Sequence, residues 1–116
     1  MALRTLDKTE WRSFCDRISR GLIGKCAEIE VLSLPLGSQI EAEWLPLLGV
    51  AYDSRNDVIE VALDGLDHLV QRPRELAVDV IAGGLVTVEI VDGDGARQIV
   101  RLRDPLMLPR SSAAVA

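Results

Sequence analysis

The feature that most restricts the fold of this chain is a series of short segments in which apolar and polar residues alternate, separated by only a few turn-forming residues. Alternation with period two is typical of strands that bury one face. Parallel strands need a crossover of about a dozen residues or more, so these short gaps exclude parallel βαβ units and predict an antiparallel sheet. The predicted strands are residues 27–31, 40–44, 47–52, 58–63, 66–71, 76–82, 85–91 and 96–102.

The gaps between the predicted strands contain residues that favour turns. They are Pro35-Leu36-Gly37, Asn56-Asp57, Asp64-Gly65, Gly83-Gly84 and Asp92-Gly93-Asp94-Gly95. Residues 76–91 are apolar on both faces at several positions. This pair of strands is therefore predicted to be central in the sheet, with a helix covering one side of it.

Helical periodicity is confined to the N-terminal part of the chain. Asp7 and Glu10 have the spacing of a capping box, and Gly21 is the predicted helix stop. Between them, apolar residues recur at helical spacing at Trp11, Phe14, Cys15, Ile18 and Leu22. The pattern predicts a helix over residues 8–20. The predicted fold class is α+β, with an N-terminal amphipathic helix packed on a strongly bent antiparallel β-sheet or small open barrel.

A length of 116 residues suits one domain. We predict a single α+β domain over residues 1–110 and a flexible C-terminal tail of small residues over 111–116. The chain lacks the run of roughly 18 apolar residues that spans a membrane, and its first ten residues lack the apolar run of a signal peptide. The expected location is therefore cytoplasmic, where Cys15 and Cys26 are reduced thiols.

The net charge of −5 is unevenly distributed along the chain. Residues 1–25 carry six basic and three acidic side chains, whereas residues 26–71 carry one basic and nine acidic side chains. Residues 72–116 carry six of each. Because phosphate neutralisation supplies most nucleic-acid affinity, the acidic middle segment argues against a nucleic-acid partner.

Four short segments of the chain belong together as a pattern. They are Glu10-Trp11-Arg12-Ser13-Phe14, Ile40-Glu41-Ala42-Glu43, Asp67-His68-Leu69-Val70-x-x-Pro73 and Val88-Glu89-Ile90-Val91-Asp92-Gly93-Asp94-Gly95. With them the chain resembles a family of uncharacterised small bacterial proteins, classed as a domain of unknown function, over about residues 4–102. The resemblance implies a bacterial, cytoplasmic protein. Because the family has no assigned activity, the resemblance does not point to any particular catalytic residue.

None of the residue sets that catalysis or metal binding requires is complete in the sequence. Gly24-Lys25 lacks both the preceding glycine and the following Ser or Thr of a phosphate loop. Residues 92–95 resemble the start of a calcium loop, but no acid follows within residues 96–103, so a turn is predicted. His68 is the single histidine, too few for a zinc set with two distant cysteines. We therefore predict no enzyme activity, no metal and no cofactor.

Acidic and basic side chains on predicted strands form the main candidate interaction site. If residues 27–31 pair with 40–44, four carboxylates share one face, roughly 5 Å apart across the pair. They are Glu28, Glu30, Glu41 and Glu43. The last strand places Arg97, Arg101 and Arg103 on one face. The acids either pair with these arginines within the chain, bind a basic patch on another copy or partner, or hold a divalent cation.

The leading hypothesis is a non-catalytic protein-interaction or structural module that self-associates, a homo-oligomer. It follows from the incomplete catalytic sets together with the segregated charge and the edge strands. One alternative is an Sm-like, nucleic-acid-associated small barrel, the architecture of a helix followed by a bent antiparallel sheet. The other is a small-molecule-binding protein or enzyme with a pocket between helix and sheet, lined by Trp44, Tyr52 and His68.

Overall fold

The computed structural model describes residues 4–81 and 85–103. In this part of the chain one short α-helix accompanies eight strands, which form a single open antiparallel sheet. The elements are β1 (Arg4–Thr5), a 3₁₀ turn (Lys8–Glu10), α1 (Trp11–Leu22), β2 (Cys26–Ser33), β3 (Gly37–Asp53), β4 (Val58–Leu63), β5 (Leu66–Gln71), β6 (Glu75–Ile81), β7 (Leu85–Val91) and β8 (Arg97–Arg103). The predicted antiparallel, mostly β fold of the α+β class is confirmed. The predicted tail over 111–116 and the Gly83-Gly84 turn lie outside the described residues.

The order of the strands in the sheet is β1-β6-β7-β8-β2-β3-β4-β5. The prediction that residues 76–91 form the central pair is wrong, because β8 and β2 occupy the middle. The N-terminal strand β1 pairs with β6, and the Leu6 amide donates to the Leu76 carbonyl at 2.8 Å. A strand of two residues has no alternation that sequence analysis can detect, so β1 was not predicted. The helix α1 packs mainly against β3.

The longest strand, β3, corrects the prediction of separate strands at 40–44 and 47–52. The strand runs unbroken from Gly37 to Asp53 and changes partner midway, pairing with β2 up to Pro46 and with β4 from Leu47. Trp44 has φ of 53° at this change. The chain therefore bends where the sequence indicated a break.

The helix α1 continues through Gly21 to Leu22, so the predicted stop at Gly21 is wrong. The left-handed residue is Gly24, with φ of 91°, and the Lys25 amide donates to the Leu22 carbonyl at 3.1 Å. A glycine is needed there because this φ is costly for residues with a Cβ atom. At the other end, the Asp7 amide donates to the Glu10 carboxylate at 3.2 Å, as the capping box predicts.

The hydrophobic core lies between α1 and the inner face of the sheet. It includes Trp11, Phe14 and Ile18 of the helix. The sheet contributes Ile29, Leu47, Ile59, Val61, Val70, Leu76, Val88, Ile90, Val100 and Leu102. His68 on the edge strand β5 and Gln98 on the central strand β8 are in contact at 2.8 Å, although three strands lie between β5 and β8 in the order of the sheet.

Candidate functional site

Arg101 is the centre of the charged surface on the outer face of the sheet. The antiparallel register places Glu28 directly opposite Arg101, with Glu30 two residues further along β2. The guanidinium donates to one carboxylate oxygen of each acid, at 3.0 Å in both cases. Of the three predicted readings, this arrangement matches pairing within the chain for Glu28 and Glu30.

Glu30 receives a second donor from the neighbouring strand. The Ser38 hydroxyl on β3 donates a hydrogen bond to the other oxygen of the Glu30 carboxylate. This hydrogen bond, followed by the one from Arg101, holds the pKa of Glu30 below its ordinary value. The carboxylate is therefore charged and fully used in contacts within the sheet.

The predicted cross-strand pairs of carboxylates do not form. Glu30 lies opposite Ile40, and Ile29 lies opposite Ala42. The register between β2 and β3 therefore shifts by one residue between these two pairs. The shift is a β-bulge that places Glu41 between the two pairs. Glu41 and Glu43 are exposed, and within residues 4–81 and 85–103 neither forms an ion pair.

The other two predicted arginines also contact groups of the same chain. Arg97 pairs with Glu89 of the adjacent strand β7 at 3.1 Å. The Arg103 guanidinium lies over the ring of Trp44, 5.0 Å from its centroid. The ring therefore forms a cation–π contact at the bend of β3.

The three predicted pocket residues lie at different places. Trp44 lies beneath Arg103, whereas Tyr52 packs edge-on against Trp11 with ring centroids 5.2 Å apart. The Tyr52 hydroxyl donates to Asp57 at 3.0 Å, and burial, followed by this bond, raises the pKa of Tyr52. Tyr52 borders an open groove whose other lining residues were not singled out from the sequence: Lys8, Thr9, Ser54 and Asp57.

The predicted small-molecule pocket between helix and sheet is too small for a metabolite. The apolar space there is lined by residues such as Phe14, Val61 and Val100 and has a volume of about 10 Å³. A single water needs roughly that much space. The interior of this part of the fold is therefore a packed core.

His68 belongs to a polar network that sequence analysis missed. Gln98 is the one buried polar side chain in the described part of the chain, and its amide nitrogen donates to Asp92 at 3.0 Å. The Gln98 oxygen consequently faces His68, whose Nε2 donates to it at 2.8 Å. Asp92 also accepts the amides of Asp94 and Ala96, each at 2.9 Å, so residues 92–95 form the predicted turn.

Residues 4–81 and 85–103 contain no group of three or more His, Cys, Asp or Glu side chains that can hold a metal ion. Cys15 and Cys26 are free and buried. Burial, together with the charge of Asp16, raises the pKa of Cys15 to about 11, so its thiol stays protonated. The described part of the chain contains no helix with the length and apolar character that a membrane span needs.

We expect Arg101→Gln to lower the thermal midpoint by about 4 °C at pH 7, because Glu28 and Glu30 lose their shared cation. A carboxyl group whose pKa is lowered by folding stabilises the fold above its ordinary pKa, 4.5 for Glu30. That contribution is lost as the pH falls through the lowered value. The difference from the wild type should therefore narrow in acid, measured by circular dichroism melts from pH 7 to pH 3.

Arg103→Gln is the matched control, since Arg103 lies on the same face of β8 and contacts an aromatic ring. Its effect should not depend on pH in this range. Equal pH dependence of the two variants would contradict the assignment of Arg101 as the cation of the acidic pair.

The described residues form an antiparallel α+β fold, and most of the predicted site residues make contacts within the chain. The chain belongs to the family described as "Family of unknown function (DUF5335)", whose model matches residues 2–111. The predicted resemblance is thereby confirmed. A relative from the bacterium Aquifex aeolicus (strain VF5), an uncharacterized protein, is 36% identical over 110 residues, which is 94% of this chain and 99% of the relative. No solved structure matches the chain.

Proposed function

We propose that this chain is a non-catalytic protein-interaction module that self-associates. The observation that carries the proposal is the open edge of the sheet at β5 (Leu66–Gln71), the outermost strand on its side. An edge strand with unpaired backbone groups is a template for a further strand. Sites of this kind work by adding backbone hydrogen bonds and need no catalytic residue.

The hydrogen bond between Arg72 and Asp57 identifies which backbone groups of β5 are unpaired. The Arg72 amide donates to the Asp57 carbonyl at 2.9 Å, in the same register that pairs Ile59 with Val70. Bonded and non-bonded pairs alternate in an antiparallel ladder. The amides and carbonyls of residues 67, 69 and 71 therefore point away from β4. Of these outward-pointing backbone groups, the Gln71 carbonyl is the only one with a hydrogen-bond partner among the described residues. That partner is the Gly93 amide, at 3.2 Å.

The proposal includes the predicted architecture and location. The buried residues of α1 support an amphipathic helix, and the contact of His68 with Gln98 supports a strongly bent sheet or small open barrel. Free Cys15 and Cys26 fit a reducing compartment such as the cytoplasm.

Neither alternative function gains comparable support. The net charge of −5 disfavours the Sm-like, nucleic-acid-associated reading. The separation of Trp44, Tyr52 and His68 disfavours one shared pocket for a small molecule.

Light scattering behind a sizing column tests the proposal. At tens of micromolar we expect an average mass well above the 12.7 kDa of one chain. Backbone pairing at a sheet edge should largely persist at high salt, whereas an interface between the Glu41 and Glu43 surface and basic side chains should loosen. A single species of 12.7 kDa at both salts would contradict self-association.

A further inference from the structure

We infer that two copies of this chain pair through their β5 strands, antiparallel and about a two-fold axis at Leu69. The inference rests on the proposed function and adds the partner strand, the symmetry and the register. In this arrangement Leu69 lies opposite Leu69 of the second copy, and Asp67 lies opposite Gln71 of the second copy. The same patch serves both copies, as a two-fold interface requires.

No residue of β5 itself blocks the addition of a strand, although the Gly93 amide occupies the Gln71 carbonyl at one end. In natural proteins, edge strands are kept from pairing with other chains by prolines, lysines, bulges or a very short length. Residues 66–71 contain no proline, lysine or arginine, and their register with β4 has no shift. At the opposite edge of the sheet, the described part of β1 has two residues, which present few backbone groups to a further strand.

The charges at the two ends of β5 are self-complementary. Asp67 lies near its beginning, and Glu60 on β4 is close enough to share a hydrogen bond with it. Arg72 follows its last residue. An antiparallel pair of β5 strands therefore brings the acidic end of each copy alongside the basic end of the other. The Arg72 pair with Asp94 is exposed on both sides, so it holds the guanidinium only weakly.

Several observations select Leu69 as the centre of the pairing. Its side chain is 49% exposed on the outer face, and a leucine opposite its own copy covers that apolar surface. A centre at His68 instead places the two Asp67 side chains diagonally, about 7–8 Å apart, where like charges repel. The hydrogen bond and charge of Asp67 already raise the pKa of Glu60, so this end of the strand carries excess acid.

The backbone groups required by this register are the ones that point outward. The amide and carbonyl of Leu69 form two hydrogen bonds with the same groups of the second copy. The Gln71 amide of each copy can donate to the Asp67 carbonyl of the other copy. Together with the two Leu69 bonds, the pairing then has about four hydrogen bonds. The Gln71 carbonyl also retains a lone pair beside its bond from Gly93.

Leu69→Pro tests the inference. We expect the substitution to have little effect on the fold of a single chain. The Leu69 amide points away from β4, and proline is tolerated on an edge strand at such a position. The substitution removes both hydrogen bonds that the Leu69 amides donate across the axis. We expect the dissociation constant of the dimer to rise at least about tenfold, measured by sedimentation equilibrium. Leu69→Ile keeps the amide, the strand preference and the apolar side chain, and should retain most of the affinity.

Cross-linking provides a second readout that does not depend on tolerance of proline. The native thiols Cys15 and Cys26 are buried, so a cysteine introduced at position 69 is exposed by comparison. Mild oxidation of Leu69→Cys should give a covalent dimer. Leu48→Cys is the matched control, because Leu48 is also an exposed strand leucine, at 56% against 49%. It should cross-link at least about tenfold more slowly, since copies meet there only by collision.

The outcomes separate this inference from the proposed function. A wild-type oligomer that is unaffected by Leu69→Pro, with equal cross-linking at positions 48 and 69, overturns the β5 pairing and leaves self-association standing. A monomeric wild-type chain overturns both. Loss of the dimer in Leu69→Pro, or selective cross-linking of Leu69→Cys where the proline variant does not fold, supports the pairing.

Discussion

Trp11→Ala is expected to lower the free energy of unfolding by about 3–5 kcal/mol, the range for removing a large buried aromatic side chain. Trp11 is 1% exposed and is among the largest fully buried side chains of the described core. Its indole nitrogen donates to the Leu6 carbonyl at 3.2 Å, and its ring meets the edge of Tyr52. Alanine leaves a cavity and a buried carbonyl without this donor. Urea unfolding followed by circular dichroism measures the loss.

Trp44→Ala is the matched control, since it makes the same change in the other tryptophan of the chain. Trp44 is half-buried, and its ring contacts the guanidinium of Arg103. Its loss should cost about 1–2 kcal/mol. Equal costs for the two substitutions would show that the contacts of Trp11 do not contribute as the structure indicates.

The strands that the sequence predicted best are joined by a tight local turn. β4 and β5 occupy the predicted residues 58–63 and 66–71. Alternation sets which residues face inward, and the Asp64-Gly65 pair sets where the chain reverses, with Gly65 at φ of 87°. Both signals lie within a few residues, so no knowledge of distant partners is needed.

The errors in the fold arise where distant parts of the chain decide the local structure. Pro46 indicates a break when only its neighbours are considered. It lies within β3 because the strand passes from β2 to β4 around it, and the register shift near Trp44 supplies the bend. Such a change of partner depends on which strands are adjacent, and alternation does not contain that information.

The candidate site shows the same division between local and distant information. Alternation correctly placed Arg97, Arg101 and Arg103 on one face, because that relation lies within a single strand. The bulge at Glu41 prevents the predicted pairing of the carboxylates of β2 with those of β3. A bulge in a polar strand has no reliable signature in the sequence. The pocket residues Trp44 and Tyr52 were grouped by residue type, which does not specify which strands fold over each other.

The alternation of residues in β8 indicates that Gln98 is buried. Gln98 alternates with Arg97 and Ile99 and so shares its face with Val100 and Leu102, which are buried. A polar residue on an inward face needs a partner inside the fold. His68 is that partner because it lies opposite Val61 on the inward face of β5.

Gln98→Leu is expected to cost about 2 kcal/mol of unfolding free energy, although leucine is similar in size and apolar. The reason is that two polar groups lose their partners, the His68 ring nitrogen and one oxygen of Asp92. Asp92 keeps the turn amides of residues 94 and 96, so the turn itself should persist. Urea unfolding at pH 7.5 measures the cost.

The double variant Gln98→Leu with His68→Leu separates the lost hydrogen bond from a general change in packing. Removing both partners of a buried hydrogen bond is much less costly than removing one. The double variant should therefore be more stable than the sum of the single effects predicts, by about 1–2 kcal/mol. Additive costs within about 0.5 kcal/mol would mean that His68 and Gln98 are adjacent without being coupled, and that other contacts hold the β5 edge against β8.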